Sequence, residues 1–170
     1  MTKKLLAILL AVIVLCGVTV WATIAFDIYE IPHKVEVPDG AYGVLQIPSI
    51  GVDAPLYEGR DFQSIIDDEN SALIRRYKRG YYIGDHAGSE VGGYWYVEDI
   101  RVGSAAFIIR DGETKAYLCT SVYFAHQNGW DYAYHGANVN PTANGFICVS
   151  CSDYDDWVYL AVFEYVEDMP

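Results

Sequence analysis

The sequence predicts a mostly β chain: a small, largely antiparallel barrel or sandwich with one or two short helices, preceded by an apolar N-terminal segment. Three observations point there. From Tyr81 onward, short runs rich in Val, Ile, Tyr and Phe alternate with Gly, Asp and Asn turns. Helical periodicity shows only in one short stretch, at residues 61–66. The 170 residues are 52% apolar and 15% aromatic, enough for one core and too apolar for a disordered chain.

The elements follow in order. Lys3 and Lys4 precede an uncharged run at residues 5–26, long enough at about 1.5 Å per residue to cross the ~30 Å core of a bilayer as a helix. Trp21 sits near its outer end, and no further cation follows until Lys34. The expectation is a single-pass anchor with the N-terminus in the cytoplasm and the bulk of the chain outside. A cleaved signal peptide is the rival, but Thr23-Ile24-Ala25 is a poor cleavage site. Residues 1–26 are therefore read as tip and anchor, 27–42 as a stalk or lead-in segment, and 43–170 as the β domain.

Within that domain, GVLQIPSIGVDAPLYEG reads as short strands broken by Pro48, Gly51 and Pro55. Asp61 caps a short amphipathic helix carrying Phe62, Ile65 and Ile66. Asp67, Asp68 and Glu69 end it as a solvated run, and the basic stretch at 73–79 has no clear pattern. YYIGDHAG is a strand entering a turn. Asp111-Gly112 between two apolar runs is a hairpin signal. Residues 125–145, polar and rich in Gly and Asn, read as a long loop, and FICVSC and WVYLAVFEYV as two final strands.

Charge excludes one class of partner. Beyond Phe26, nine Lys and Arg face 23 Asp and Glu, so there is no basic footprint for nucleic acid. The cysteines narrow the chemistry further. Cys148 and Cys151 form a C-x-x-C, but a redox pair needs the first thiol at a helix N-terminus and zinc needs two more ligands in reach. On a strand their odd spacing sends them to opposite faces. Cys148 is then expected as a core thiol facing Cys119, and Cys151 as an exposed thiol at a strand end. With Cys119 it leaves an odd number outside the cell. A lone thiol becomes a nucleophile only with a base and oxyanion donors at hand. His33, His86, His126 and His135 are the candidate bases.

Three stretches in chain order resemble the sortases, membrane-anchored cysteine transpeptidases of Gram-positive cell surfaces. GVLQIPSIGVDAPLYEG is similar to the opening of the sortase domain. YYIGDHAG and the following IRVGSAAFI resemble its histidine segment and the next strand. ICVSC falls on the strand that ends at its cysteine. The match spans residues 43–165 in order. It implies a closed sortase-like β-barrel, with Cys151 as nucleophile and His86 as the partner acid/base. It also implies a sorting-signal peptide of surface proteins as substrate, a thioacyl-enzyme intermediate, and a cell-wall or pilin amine as acceptor. No cofactor and no metal are expected.

The sequence departs from the family's pattern at two places. Asp85 stands where a Gly usually precedes the histidine. The arginine that sortases carry on the strand after the cysteine has no counterpart, because no Lys or Arg follows Lys115. Trp157, His126 or an Arg of residues 75–79 is available as a replacement donor, and Asp85 as an auxiliary to His86. The alternative function is a catalytically inactive sortase-fold surface protein that serves as a binding or structural module.

Overall fold

In a computed structural model, the chain separates into two units, Met1–Ile31 and Pro32–Pro170. The structure describes residues 32–59, 71–77, 79–85, 96–128 and 131–169. The expected anchor, the helix at 61–66, the acidic run at 67–69 and His86 lie outside the described residues. Among the described residues, no helix is long and apolar enough to cross a membrane.

Among the described residues ten strands follow one another: β1 (Gly43–Ile47), β2 (Val52–Tyr57), β3 (Ala72–Tyr77), β4 (Gly80–Gly84), β5 (Ala105–Arg110), β6 (Glu113–Asn128), β7 (Asp131–Tyr134), β8 (Ala137–Val139), β9 (Phe146–Cys151) and β10 (Trp157–Met169). Eight of them close a ring in the order β10-β9-β4-β3-β2-β1-β5-β6, with β6 pairing back to β10. Closure removes the free edges that an open sheet would expose. The helices among the described residues are two 3₁₀ turns, Pro48–Ile50 and Val97–Asp99.

Pro48 and Pro55 fit this scheme for different reasons. Pro48 opens the first 3₁₀ turn, where its missing N–H costs nothing. Pro55 lies in β2, whose pairing to β3 involves only Leu56 and Tyr57, so its β3 side has no ladder bond to lose. β2 and β3 are parallel, and a parallel pair needs a crossover of a dozen or so residues. β4 and β9 are also parallel, while the other pairings are antiparallel. The basic stretch with no clear sequence pattern is β3.

All eight ring strands send side chains into one interior core, including Leu45, Leu56, Ile83, Ile108, Phe146 and Phe163. Cys119 and Cys148 are buried there as free thiols. A second apolar cluster lies on the outer face of β4, β9 and β10, built from Tyr82, Tyr132, Ile147, Val158, Leu160 and Val162 with Ala125.

That second cluster overturns the expectation of a long loop over residues 125–145. β6 runs on to Asn128, and β7 and β8 form a hairpin joined by His135-Gly136. Both turn residues have positive φ, 50° and 78°, as a two-residue hairpin turn requires. The Gly and Asn content that reads as loop is tight-turn chemistry. Tyr132 and Val139 point one way and pack against the barrel's outer face. The Asp111-Gly112 hairpin forms as expected, with φ of 54° and 80°.

The hairpin is tied down through Tyr82. Its ring sits 5.0 Å from Tyr132 and 5.1 Å from Tyr77, and its hydroxyl donates to the Val139 carbonyl at 3.0 Å. The lead-in is tied as well. Gln46 donates to the His33 carbonyl at 3.2 Å, His33 Nε2 lies 2.5 Å from Asp53 Oδ2, and the Tyr42 N–H bonds to Leu56. Tyr82→Phe should lower unfolding free energy by about 1 kcal/mol in denaturant titration. It should also speed amide exchange in β8 more than in β1, which separates loosening of the hairpin from general destabilisation.

Candidate functional site

β9 sets the site by simple alternation. Phe146 and Cys148 face the interior core, whereas Ile147 and Val149 face the outer cluster. Cys151 continues the outer row and is the first exposed residue of the strand. It pairs with Val158 of β10. The chain beyond it is held by Ser152, whose N–H and hydroxyl both donate to the Trp157 carbonyl. The Gln127 N–H bonds to the Asp156 carbonyl at 2.7 Å and ties this turn to β6.

Cys151 opens into a cavity of about 430 Å³. Leu73, Tyr82, Val149 and Val158 form its apolar walls, and Arg75, Asp85, Gln127 and Tyr132 its polar ones. The registers explain the grouping. Arg75 pairs with Tyr82 and Tyr82 with Ile147, one row of side chains on a single face; Leu73, Gly84 and Val149 form the next row. Gly84 has no side chain to fill its place, and a Cβ there would come within 3.3 Å of the Val149 carbonyl. The row beyond contains Cys151.

Electrostatics bring the same residues together. The Tyr132 phenol is pushed well above its ordinary value, by burial first and then by the charges of Tyr82 and Cys151, while Arg75 pulls the other way. Tyr132 therefore stays protonated, a buried donor that senses both the thiol and the guanidinium. Burial pushes the Cys119 thiol up to about 11 and raises Cys148 well above the usual thiol range. Both remain neutral thiols in the core.

The residues singled out in the sequence fall into three groups. Cys151 and Asp85 share the cavity, and Asp85 is buried. His86 is the next residue after Asp85 and lies outside the described residues. His126 and Trp157 pair with each other across β6 and β10, one position along from Val158. They face the opposite side of the sheet from Cys151. There the Trp157 ring stacks on Phe124 at 5.0 Å and meets His126 edge-on at 5.7 Å. Of the basic stretch 75–79, it is Arg75 that lines the cavity. Tyr132 and Gln127 were hidden in the supposed loop; the alternation in Asp131–Tyr134 was the signal that could have found Tyr132. Among the described residues, no group of three or more His, Cys, Asp and Glu could hold a metal ion.

No protein-family model matches the chain, and no curated protein matches it. Solved structures do. Sortase A of Listeria monocytogenes superposes with a TM-score of 0.58 at 13% identity, covering 76% of this chain and 90% of that one. A lid mutant of sortase A from Corynebacterium diphtheriae gives 0.60 at 18%, covering 80% and 74%. Sortase C of Streptococcus pneumoniae, whose structure bears on pilin substrate specificity, gives 0.61 at 15%, covering 85% and 79%. At these identities the likeness is one of fold.

The three domain thiols should react very differently. Brief iodoacetamide treatment of the native protein at pH 8, read by peptide mapping, should alkylate Cys151 and leave Cys119 and Cys148 unmodified until denaturant is added. Because the Cys119 value is raised above the unfolded thiol's 9.0, the unfolded chain loses that proton first. Stability should fall as pH climbs from 9.0 to about 11, measured by chemical denaturation across that range.

Proposed function

We propose that this chain, which has the sortase fold, is a cysteine transpeptidase with Cys151 as nucleophile, His86 as acid/base and Arg75 as the oxyanion donor. The observation that carries this reading is the position of Cys151. It is an exposed thiol at the end of a buried strand, opening into a cavity that also holds an arginine and a buried tyrosine.

Chemically, the Cys151 sulfur attacks the carbonyl carbon of a sorting-signal peptide, forming the C–S bond and a tetrahedral oxyanion. Collapse breaks the C–N bond, and His86 gives its proton to the leaving amine. An amine of the cell wall or of a pilin then attacks the thioester, returning the sulfur and yielding a new amide. The apolar walls suit an extended peptide segment, and they keep water from competing with the amine. His86 is argued from order along the chain: Gly84 pairs with Val149, and His86 and Cys151 each follow two residues later in sequence.

Arg75 addresses the departure in the strand after the cysteine. Arg75 is one of nine Lys and Arg beyond Phe26, against 23 Asp and Glu, and it lines the same cavity as the thiol. In this reading it faces the developing oxyanion, with the neutral Tyr132 phenol as a second donor. The apolar run at residues 5–26 anchors the domain outside the membrane, where the protein substrates and the amine acceptors are.

Incubation with a panel of sorting-signal peptides should give an acyl-enzyme by intact mass, absent from Cys151→Ala. Arg75→Ala should lower kcat by about 10²–10³-fold with little change in peptide KM. Arg75→Lys should recover part of the loss. No adduct across the panel, with peptide binding retained, would instead establish the non-catalytic binding module.

A further inference from the structure

A second cavity is larger than the one at Cys151. It lies at the barrel mouth where β9 begins, and its volume is about 590 Å³. Phe146 and Ile108 form its floor, and both belong to the interior core. Phe146 and Cys151 lie five positions apart on β9, roughly 17 Å of strand.

A change in what points inward makes this mouth. On β5 the inward series passes from Ile108 to Arg110, and on β6 it passes outward from Tyr117 to Lys115 and Glu113. Interior positions of a small barrel are normally filled by apolar side chains. Here they turn to tyrosine and charge while still facing one another, so space is left above the floor.

The chemistry of the walls is specific. Four tyrosines line the cavity: Tyr42, Tyr81, Tyr117 and Tyr165. Tyr42 and Tyr81 lie 5.7 Å apart, and Tyr117 and Tyr165 5.9 Å apart. Arg110 sits over the Tyr42 ring at 4.2 Å and fixes that side. Burial pushes the Tyr117 hydroxyl up to about 12 and raises Tyr42, so both stay neutral donors and acceptors. Each cation of the wall has a carboxylate near it, and Glu113 adds one carboxylate more. Arg110 pairs with Asp111 at 2.9 Å, and Lys115 lies 3.9 Å from Asp168.

We propose that this mouth is a second binding site, taking a short neutral saccharide. The ligand is not an anion, because the wall's cations already have carboxylate partners and Glu113 adds a further negative charge. It must present both an apolar face and a hydroxyl edge, because each tyrosine offers a ring and a hydroxyl together. A pyranose has both, and the volume falls within the range of about 300–1,000 Å³ usual for small-ligand sites. The proposal is independent of the chemistry assigned to Cys151.

The test uses the full-length chain in a zwitterionic detergent, so that no glycoside is present, with chitotetraose and cellotetraose as probes. Saturation-transfer difference NMR should show saturable binding of at least one, with amide shifts confined to the stretches around Arg110, Lys115 and Tyr165. Tyr165→Ala and Arg110→Ala should each weaken binding by about fivefold or more. Cys151→Ala should leave it unchanged. Tyr165 is partly exposed, so this variant should fold, and its thermal unfolding checks that. Absence of saturable binding to both probes would overturn the proposal. So would binding indifferent to both wall variants, or binding that follows Cys151.

Discussion

Everything in this structure depends on β9 being covered on both faces. Its inner face meets a core fed by all eight ring strands, and its outer face meets the β7–β8 hairpin. A strand buried on both sides must be apolar at successive positions, and Phe146, Ile147 and Cys148 satisfy this in turn. The cover ends where the strand does. The same side-chain alternation that sinks Cys148 into the core lifts Cys151 to the surface, three residues later. Tyr132 belongs to both the packing and the cavity, so the hairpin supplies part of the wall of the space the thiol opens into.

The cavity's positive charge comes from an unexpected direction for a physical reason. β10 is the neighbour of β9 on one side and carries no cation. Its exposed far end holds Glu164, Glu167 and Asp168 instead. The other neighbour is β4, and beyond it β3 brings Arg75 into the row of Tyr82 and Ile147. A side chain as long as arginine's can cover a neighbouring strand and still place its guanidinium at a cavity edge. A cation two strands away in the sheet can thus serve the same space as one on the adjacent strand. Sequence distance gives no hint of this: Arg75 and Cys151 lie in opposite halves of the chain.

What the sequence made legible was local and periodic. The broken strands around Pro48 and Pro55, the Asp111-Gly112 hairpin and the divergence of Cys148 from Cys151 all follow from rules that span a few residues. What it concealed was pairing between distant segments. The polar stretch at 125–145 looked like loop because hairpin turns and loops share Gly and Asn. Only the burial of Tyr132 against Tyr82, fifty residues away, distinguishes them. The same limit applied to the donors. Trp157 and His126 are close to Cys151 along the chain or in the sheet, yet the alternation places them on the far face, while the distant Arg75 lies on the near one.

One strand therefore has a different cavity at each end, and the stretch between them is among the best-packed parts of the molecule. Phe146 stacks on Phe163 at 4.8 Å, and Cys148 is fully buried beside it in the core. Such interiors have little free volume and deform reluctantly. Changes at sites further apart than about 7–10 Å, with no shared partners, usually act independently. Between these two cavities the lining residues do not overlap. The close-packed centre of β9 thus holds the thiol in place while leaving the opposite mouth free to take chemistry of its own. That separation follows from the barrel itself: the thiol's cavity lies on the outward face of β9 beside the hairpin, whereas the mouth is made of inward positions that turn polar only where the strands end.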